Sequence, residues 1–206
     1  FYKRLGNGER FLYWQRHKIY CKIQTQKQSN RRYQKSDLVY GIFSGNFRIG
    51  GKMYKITHIS DTHIRNLKYH YEYNMAFKDM YRKLIKMKPD IIVHTGDIAH
   101  TKTQLSPEFF QMCTSFLHNL AEIAPTYIIL GNHDGNLKND TRQDAITPII
   151  EALNHNNLHL LKNSGETEVL DGLVLNVLSV FDRENWVKPT DHSKVNIALY
   201  HGSIHG

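Results

Sequence analysis

Cysteine is almost missing from this sequence: Cys21 and Cys113 are the only two among 206 residues. Two thiols build neither a disulfide framework nor a thiolate zinc site, and Cys113 sits in an apolar helical pattern where it reads as core. A reducing compartment fits. Long hydrophobic runs are missing too. No stretch approaches the roughly 20 apolar residues of a membrane-spanning helix, and the opening FYKRLGNGER lacks the apolar middle of a signal peptide. A soluble cytoplasmic protein without a membrane partner is therefore expected. What remains is 40% apolar and 22% charged, enough for one domain with a real core and incompatible with disorder throughout.

Acidic residues are scarce in one region only. Residues 1–52 hold Glu9 and Asp37 against 12 Lys and Arg, net +10, whereas the rest of the chain holds 15 Lys and Arg against 17 acids, net −2. The overall charge of +8 thus belongs to the first quarter and does not by itself mark the remainder as a polyanion-binding surface. Histidine is split the opposite way, with His17 alone before residue 53 and 12 after it. The first quarter also carries ten aromatics, many for a disordered tail. Its interleaved RFLYWQRHKIYCK has the composition to stack on bases and pair with phosphates, but a solvated basic arm, or sequence foreign to the natural protein, is the plainer reading. Met53 follows Gly50-Gly51-Lys52 directly before the first clear strand and reads as a natural start. The expected organisation is a basic aromatic segment over 1–52, non-native or disordered, and one domain over 53–206.

From Met53 the pattern is regular. MYKITHIS alternates as a strand running into Asp61. Tyr73, Ala76, Phe77, Met80, Tyr81 and Leu84 recur at helical spacing until Lys88-Pro89. IIVHT is a second strand. Ser106-Pro107-Glu108 supplies a cap, a first-turn proline and a first-turn acid for a helix that buries Phe109, Cys113, Phe116, Leu117 and Leu120. TYIIL follows as a strand, then a helix over Thr147–Leu153 with Pro148 in its first turn, then LHLL, a VLDG turn into LVLNVLSV, and VNIALY. Strands and helices alternate early and strands dominate late, which argues for an α/β domain: a largely parallel sheet with a second set of strands packed on it.

Four polar clusters follow these strands at once: Asp61-Thr62-His63, Gly96-Asp97, Gly131-Asn132-His133-Asp134 and His201-Gly202. A single one would read as a turn or a satisfied surface group in a chain with 13 histidines. Together, at strand carboxyl ends, they converge on one crevice. Carboxylate, imidazole and amide donors without thiolates suit Mn, Fe or Zn in a catalytic rather than a knot-like site. The donor count exceeds one metal and suits a pair sharing a carboxylate, an arrangement fit to acidify a water and clamp phosphoryl oxygens during attack on phosphorus. The remaining histidines have plainer readings: His58 and His94 as strand-interior groups, His118, His155, His159 and His192 as surface groups. His70 and the aromatics from Tyr69 to Tyr73 read as helix packing rather than a base-stacking platform. Thr101-Lys102-Thr103 and Lys138-Asn139 read equally as phosphate contacts or solvated loops.

Those motifs resemble the calcineurin-like metallophosphoesterases over about 145 residues from Met53 onward. Gly96-Asp97-Ile98-Ala99-His100 with the nearby Ser106-Pro107, and Asp144-Ala145-Ile146-Thr147-Pro148-Ile149 after the G-N-H-D motif, are similar to the SbcD-like nuclease subunits of double-strand-break repair and phage recombination complexes. The resemblance implies a sandwich of two β-sheets flanked by helices. It implies that Asp61 and His63 bind one metal, that Asp97 bridges, and that Asn132 and His201 bind the second, with two Mn²⁺ as the expected ions. By the same resemblance His133 stays off the metal and stabilises the transition state or protonates the leaving oxygen, Asp134 orients it, and His100 contacts the scissile phosphate or positions the nucleotide.

The expected activity is DNA phosphodiester hydrolysis, exo- or endonucleolytic, in recombination or repair, in bacterial or phage-infected cytoplasm. DNA and an SbcC-like ATPase subunit are the implied partners, with a homodimer left open. The sequence departs from the pattern at its end. A later G-H-x-H motif supplies two further histidine ligands in the family, HGSIHG is not that motif, and His205 reads as facing solvent or a neighbouring loop. The reading is then a C-terminally truncated domain, with a small-substrate phosphatase or phosphodiesterase, or an inactive fragment, as alternatives.

Overall fold

The computed structural model describes residues 44–49, 51–103, 105–139 and 142–202, together with the backbone of Phe43 and of residues 4–5, 9–13 and 19–24. Most of the basic aromatic segment, and His205 with its neighbours, lie outside the described residues.

Two sheets face each other. The first has the order β4-β5-β6-β7-β8, formed by β4 (Phe43–Ile49), β5 (Lys52–Ile59), β6 (Ile91–His94), β7 (Thr126–Ile128) and β8 (Leu158–Leu160). The steps from β5 to β8 are parallel, and β4 closes one edge as an antiparallel hairpin with β5. The junction expected at residues 52/53 falls at the start of β5. The second sheet runs β1-β2-β3-β11-β10-β9, with β1 (Arg4–Leu5), β2 (Glu9–Tyr13), β3 (Ile19–Gln24), β9 (Gly165–Leu170), β10 (Leu173–Leu178) and β11 (Val195–His201). Only its β10–β11 pairing is parallel.

The strand period of two divides the first sheet's apolar residues between two cores. Ile56, Ile91, Val93 and Ile129 pack against Leu173, Leu175, Val177, Ile197 and Leu199 of the second sheet. Ile59, Ile92 and Ile128 face the helices α1 (His70–Met87), α2 (Pro107–Ile123) and α3 (Thr147–Leu153). Of the expected α1 stripe, Phe77, Met80 and Leu84 are buried and Tyr73, Ala76 and Tyr81 half-buried; on α2, Phe109, Cys113, Phe116, Leu117 and Leu120 are all buried. The fold is the α/β sandwich of two sheets with three helices read from the sequence. Among the described residues, no helix is long and apolar enough to cross a membrane.

Candidate metal centre

The parallel order β5-β6-β7 puts the loops after these strands side by side, and β11 ends over them from the other sheet. The β5 and β6 loops run together beyond the strands. Asp61 N–H donates to Gly96 O at 3.1 Å, His63 N–H to Asp97 O at 2.9 Å, and Ile64 N–H to Ile98 O at 2.8 Å. The backbone bends sharply to do this: Asp61, His63 and Asp97 all have left-handed φ, at 53°, 45° and 55°, a conformation uncommon for non-glycine residues though better tolerated by Asp and His than by most. The loops after β6 and β7 then meet through two glycines. A Cβ on Gly131 would run into the Asp97 backbone and carboxylate, and one on Gly96, at φ 91°, into the Gly131 backbone.

Asp97 is the centre of the result. His201 Nε2 lies 3.2 Å and His63 Nε2 3.5 Å from its Oδ2, and His133 N–H donates to its Oδ1 at 2.8 Å. His63 Nε2 is also 3.6 Å from Asp61 Oδ1, and Asn132 Oδ1 is 3.2 Å from His201 Nε2. Two groups of candidate ligands emerge, Asp61–Asp97–His201 and His63–Asp97–His133, and they share Asp97. All five residues expected to hold metal are therefore brought together.

The tautomers fit cation binding. His201 Nδ1 donates to Thr95 O at 2.7 Å, which turns Nε2 inward. His63 Nδ1 is buried without a partner. Burial opposes charging His201, but the Asp97 hydrogen bond and charge overcome it and raise its pKa to about 9. The hydrogen bond to Asp61 likewise raises His63. Burial would raise Asp97 and Asp61; the neighbouring histidines, helped at Asp61 by Ser60, hold both below the usual carboxylate range instead. Two carboxylates, imidazole nitrogens and an amide oxygen at these separations suit divalent cations of the Mn, Fe or Zn type.

One expected role changes with the geometry. Asp134 does not orient His133. It is fully buried, and its carboxylate accepts N–H bonds from Asp97 (2.8 Å), Ala99 (2.8 Å) and Gly131 (2.9 Å), so it clamps the two metal loops from behind. The His133 ring is instead oriented by the His100 carbonyl, to which Nδ1 donates at 2.9 Å. Its other nitrogen thereby faces the donor atoms of His63 and Asp97, within 4.8 Å of them. The His100 ring stacks at 6.1 Å from His133 and stands 5.8 Å from His63.

His58 and His94 lie behind the site as strand groups. Burial holds them near neutral imidazole, at about 4 and about 3. His94 Nδ1 accepts the Gly96 N–H at 3.2 Å, and His58 Nε2 meets Thr95 Oγ1 at 2.7 Å, so both brace the β6 loop. The Tyr73 hydroxyl does the same for the β5 loop, donating to His63 O at 2.6 Å. No sequence signal singled out Tyr73, Thr95 or His94 for these tasks. Asp144 caps α3 through Ile146 N and Thr147 N, and its neighbour Ala145 donates to Asp134 O.

A third donor group, His118–Glu122–His155, lies apart on α2 and the loop after α3. There His155 Nδ1 accepts Asn157 N–H at 3.1 Å, so Nε2 carries the proton it donates to Glu122 at 2.9 Å. That tautomer makes it a hydrogen-bonded surface cluster, with no lone pair of His155 left for a metal.

Residues 54–205 match the family model described as calcineurin-like phosphoesterase. An uncharacterized protein of Acanthamoeba polyphaga mimivirus is 43% identical over 164 residues, an alignment that covers 73% of this chain and 12% of that protein, so the chain spans a small part of that relative's length. The crystal structure of Pseudomonas putida nuclease MPE shares 16% identity at a TM-score of 0.41 over 65% of this chain and 66% of that one, a likeness too low to carry an argument. Matched over most of its length by that family model and carrying paired donor groups for divalent cations, the chain belongs to the calcineurin-like phosphoesterase family.

Proposed function

We propose that this chain is the nuclease module of a recombination or double-strand-break repair enzyme: a phosphodiesterase that cleaves DNA with two Mn²⁺ ions and works with an ATPase subunit. The observation that carries the reading is the pair of donor groups joined at Asp97, with His133 and His100 beside them. Bound divalent cations would supply Lewis-acid stabilisation to the phosphate under attack. The protein's own residues supply the rest. Asp97 is held by the Asp134 clamp and the His133 N–H, so it does not have to reorganise during reaction. His133 keeps a ring nitrogen facing the donors while Nδ1 stays fixed on the His100 carbonyl, the orientation a general acid needs to protonate a departing 3′ oxygen. His100, partly exposed at the edge of the group, is positioned to touch the phosphate.

The test is Mn²⁺-dependent release of nucleotides from linear duplex DNA, with calorimetric metal titration in parallel. Asp97→Ala should abolish both paired metal binding and release. His133→Ala should keep two metals and lose about 10²-fold in rate, the usual scale for general acid catalysis. Metal binding without release in the parent protein, together with turnover of p-nitrophenyl phosphate, would transfer the assignment to a small-substrate phosphatase.

A further inference from the structure

We propose that Arg65, Tyr69 and Tyr71 form a rim beside the metal centre that grips single-stranded polynucleotide, Arg65 on a phosphate and the tyrosines on bases. The proposal rests on the nuclease reading of the neighbouring site and names the form of substrate it accepts.

Arg65 follows the metal-binding loop directly and is half-buried, yet among the described residues it makes no ion pair with a carboxylate. Its guanidinium stacks over the Tyr69 ring at 5.8 Å, and its charge is felt at His100, where with burial it disfavours the protonated ring. A partly desolvated guanidinium without a counterion, next to a phosphate-handling histidine, is a ready partner for a phosphate oxygen pair.

The aromatics divide by direction. Tyr73 turns inward, with its hydroxyl on His63 O and its ring 5.7 Å from Phe77. Tyr69 and Tyr71 turn outward, 59% and 75% exposed, and Leu67 between Arg65 and Tyr69 is 71% exposed. They ride on a firmly tied segment. His70 Nε2 donates to Arg65 O at 2.6 Å, Tyr73 N–H donates to Tyr69 O at 2.8 Å, and Ser106 Oγ donates to Asn66 O at 2.8 Å. Tyr69 itself is held at φ 63°. A backbone held in this way presents the two rings from a fixed base, so less freedom is lost on stacking, which favours their use as a platform.

Charge selects the occupant. From Ile64 to Tyr71 the chain carries Arg65 and Lys68 and no acid; from Ile98 to Pro107 it carries Lys102 and no acid, and Lys102 Nζ reaches Asn132 O on the metal loop at 3.4 Å. The acids that flank these stretches are the metal-site carboxylates Asp61 and Asp97 on one side and, on the other, Glu72 and Glu108 in the first turns of α1 and α2. Cations alternating with exposed rings match a strand of phosphates and unpaired bases; a duplex hides its base faces and offers the rings nothing to stack on.

The test is fluorescence anisotropy of fluorescein-labelled 12-mers, oligo-dT and oligo-U, titrated with the full chain in EDTA so that nothing is cleaved. Tyr69→Ala/Tyr71→Ala should weaken binding about tenfold or more. Arg65→Ala should weaken it and lower the slope of log K against log salt by about one. Ile85→Ala, equally exposed toward the other end of α1, should change nothing. Weakening with only one of the two oligomers supports the rim and says which of the two polynucleotides it grips. Tighter binding to a 12-bp duplex, or single-strand binding that ignores the tyrosines, overturns the proposal. Its fate is separable from that of the nuclease reading: oligonucleotide binding through the rim without any phosphodiester hydrolysis in Mn²⁺ sinks only the latter, and hydrolysis of bis(p-nitrophenyl) phosphate without rim-dependent binding sinks only the former.

Discussion

At the scale of single residues, Asp134 shows how much one side chain organises. Its two oxygens take three backbone N–H groups from the two loops that carry Asp97 and Asn132. Burial, helped by the Asp97 charge, pushes its carboxyl up to about 7, against the Gly131 and Ala99 N–H groups, which favour the anion. An asparagine there has one acceptor oxygen, and its NH₂ would face an N–H. Asp134→Asn should therefore cost about 2 kcal/mol in urea melts and lower metal affinity as well; unchanged stability would remove the clamp from the account. The letters of the site were legible in the sequence because each motif is local and ends a strand. The partners were not. Asp134 adjoins His133 in the chain, so sequence alone pairs them, but the loop turns the two side chains apart and pairs Asp134 with amides 35 to 37 positions away. Thr95 and His201 meet across 106 positions, a distance no spacing rule spans.

At the scale of elements, α2 and the rim segment depend on one hydroxyl. Ser106 Oγ accepts the Phe109 N–H at 3.1 Å as the N-cap and donates to Asn66 O at 2.8 Å, joining the helix start to the loop after the first metal motif. Ser106→Ala should lower stability by about 1 kcal/mol, the usual loss of a cap, and amide exchange of residues 65–69 should quicken more than that of the α2 core; equal changes in both would argue against the link. Helices and strands were readable here because apolar period and punctuation agree, as at Lys88-Pro89 and Ser106-Pro107. The failure at Tyr69 and Tyr71 has a physical origin. Tyr69 lies four positions before Tyr73 and so falls on the buried stripe by count, but it is the left-handed residue that precedes the helix and points away. Tyr71 lies inside the helix off the stripe of Phe77, Met80 and Leu84 and faces solvent.

At the scale of the whole molecule, the candidate metal centre is where the two sheets are fastened. Asp61, Asp97 and Asn132 come from the first sheet and His201 from the second, and His201 adds to the apolar layer between the sheets polar contacts with Asp97, Thr95 and Asn132. Without metal the Asp97 contact depends on a proton. The pKa of His201 rises from 6.5 in the unfolded chain to about 9 in the fold. A raised value means the stabilisation is complete below pH 6.5 and is lost as pH climbs through 9, an effect of about 3 kcal/mol. The melting temperature in EDTA should therefore fall between pH 6.5 and 9. A divalent cation must displace the same proton, so its effect runs the other way: the rise in melting temperature on adding Mn²⁺ should grow over that window, toward about 2.7 kcal/mol when the free ion is at 100 times its dissociation constant. His201→Asn should flatten the EDTA profile and shrink the Mn²⁺ response together. Thermal melts across pH with and without metal read both effects, and a profile in EDTA that stays level, or an Asn variant that keeps the slope, would mean that the charged His201–Asp97 pair does not help to hold the sheets together.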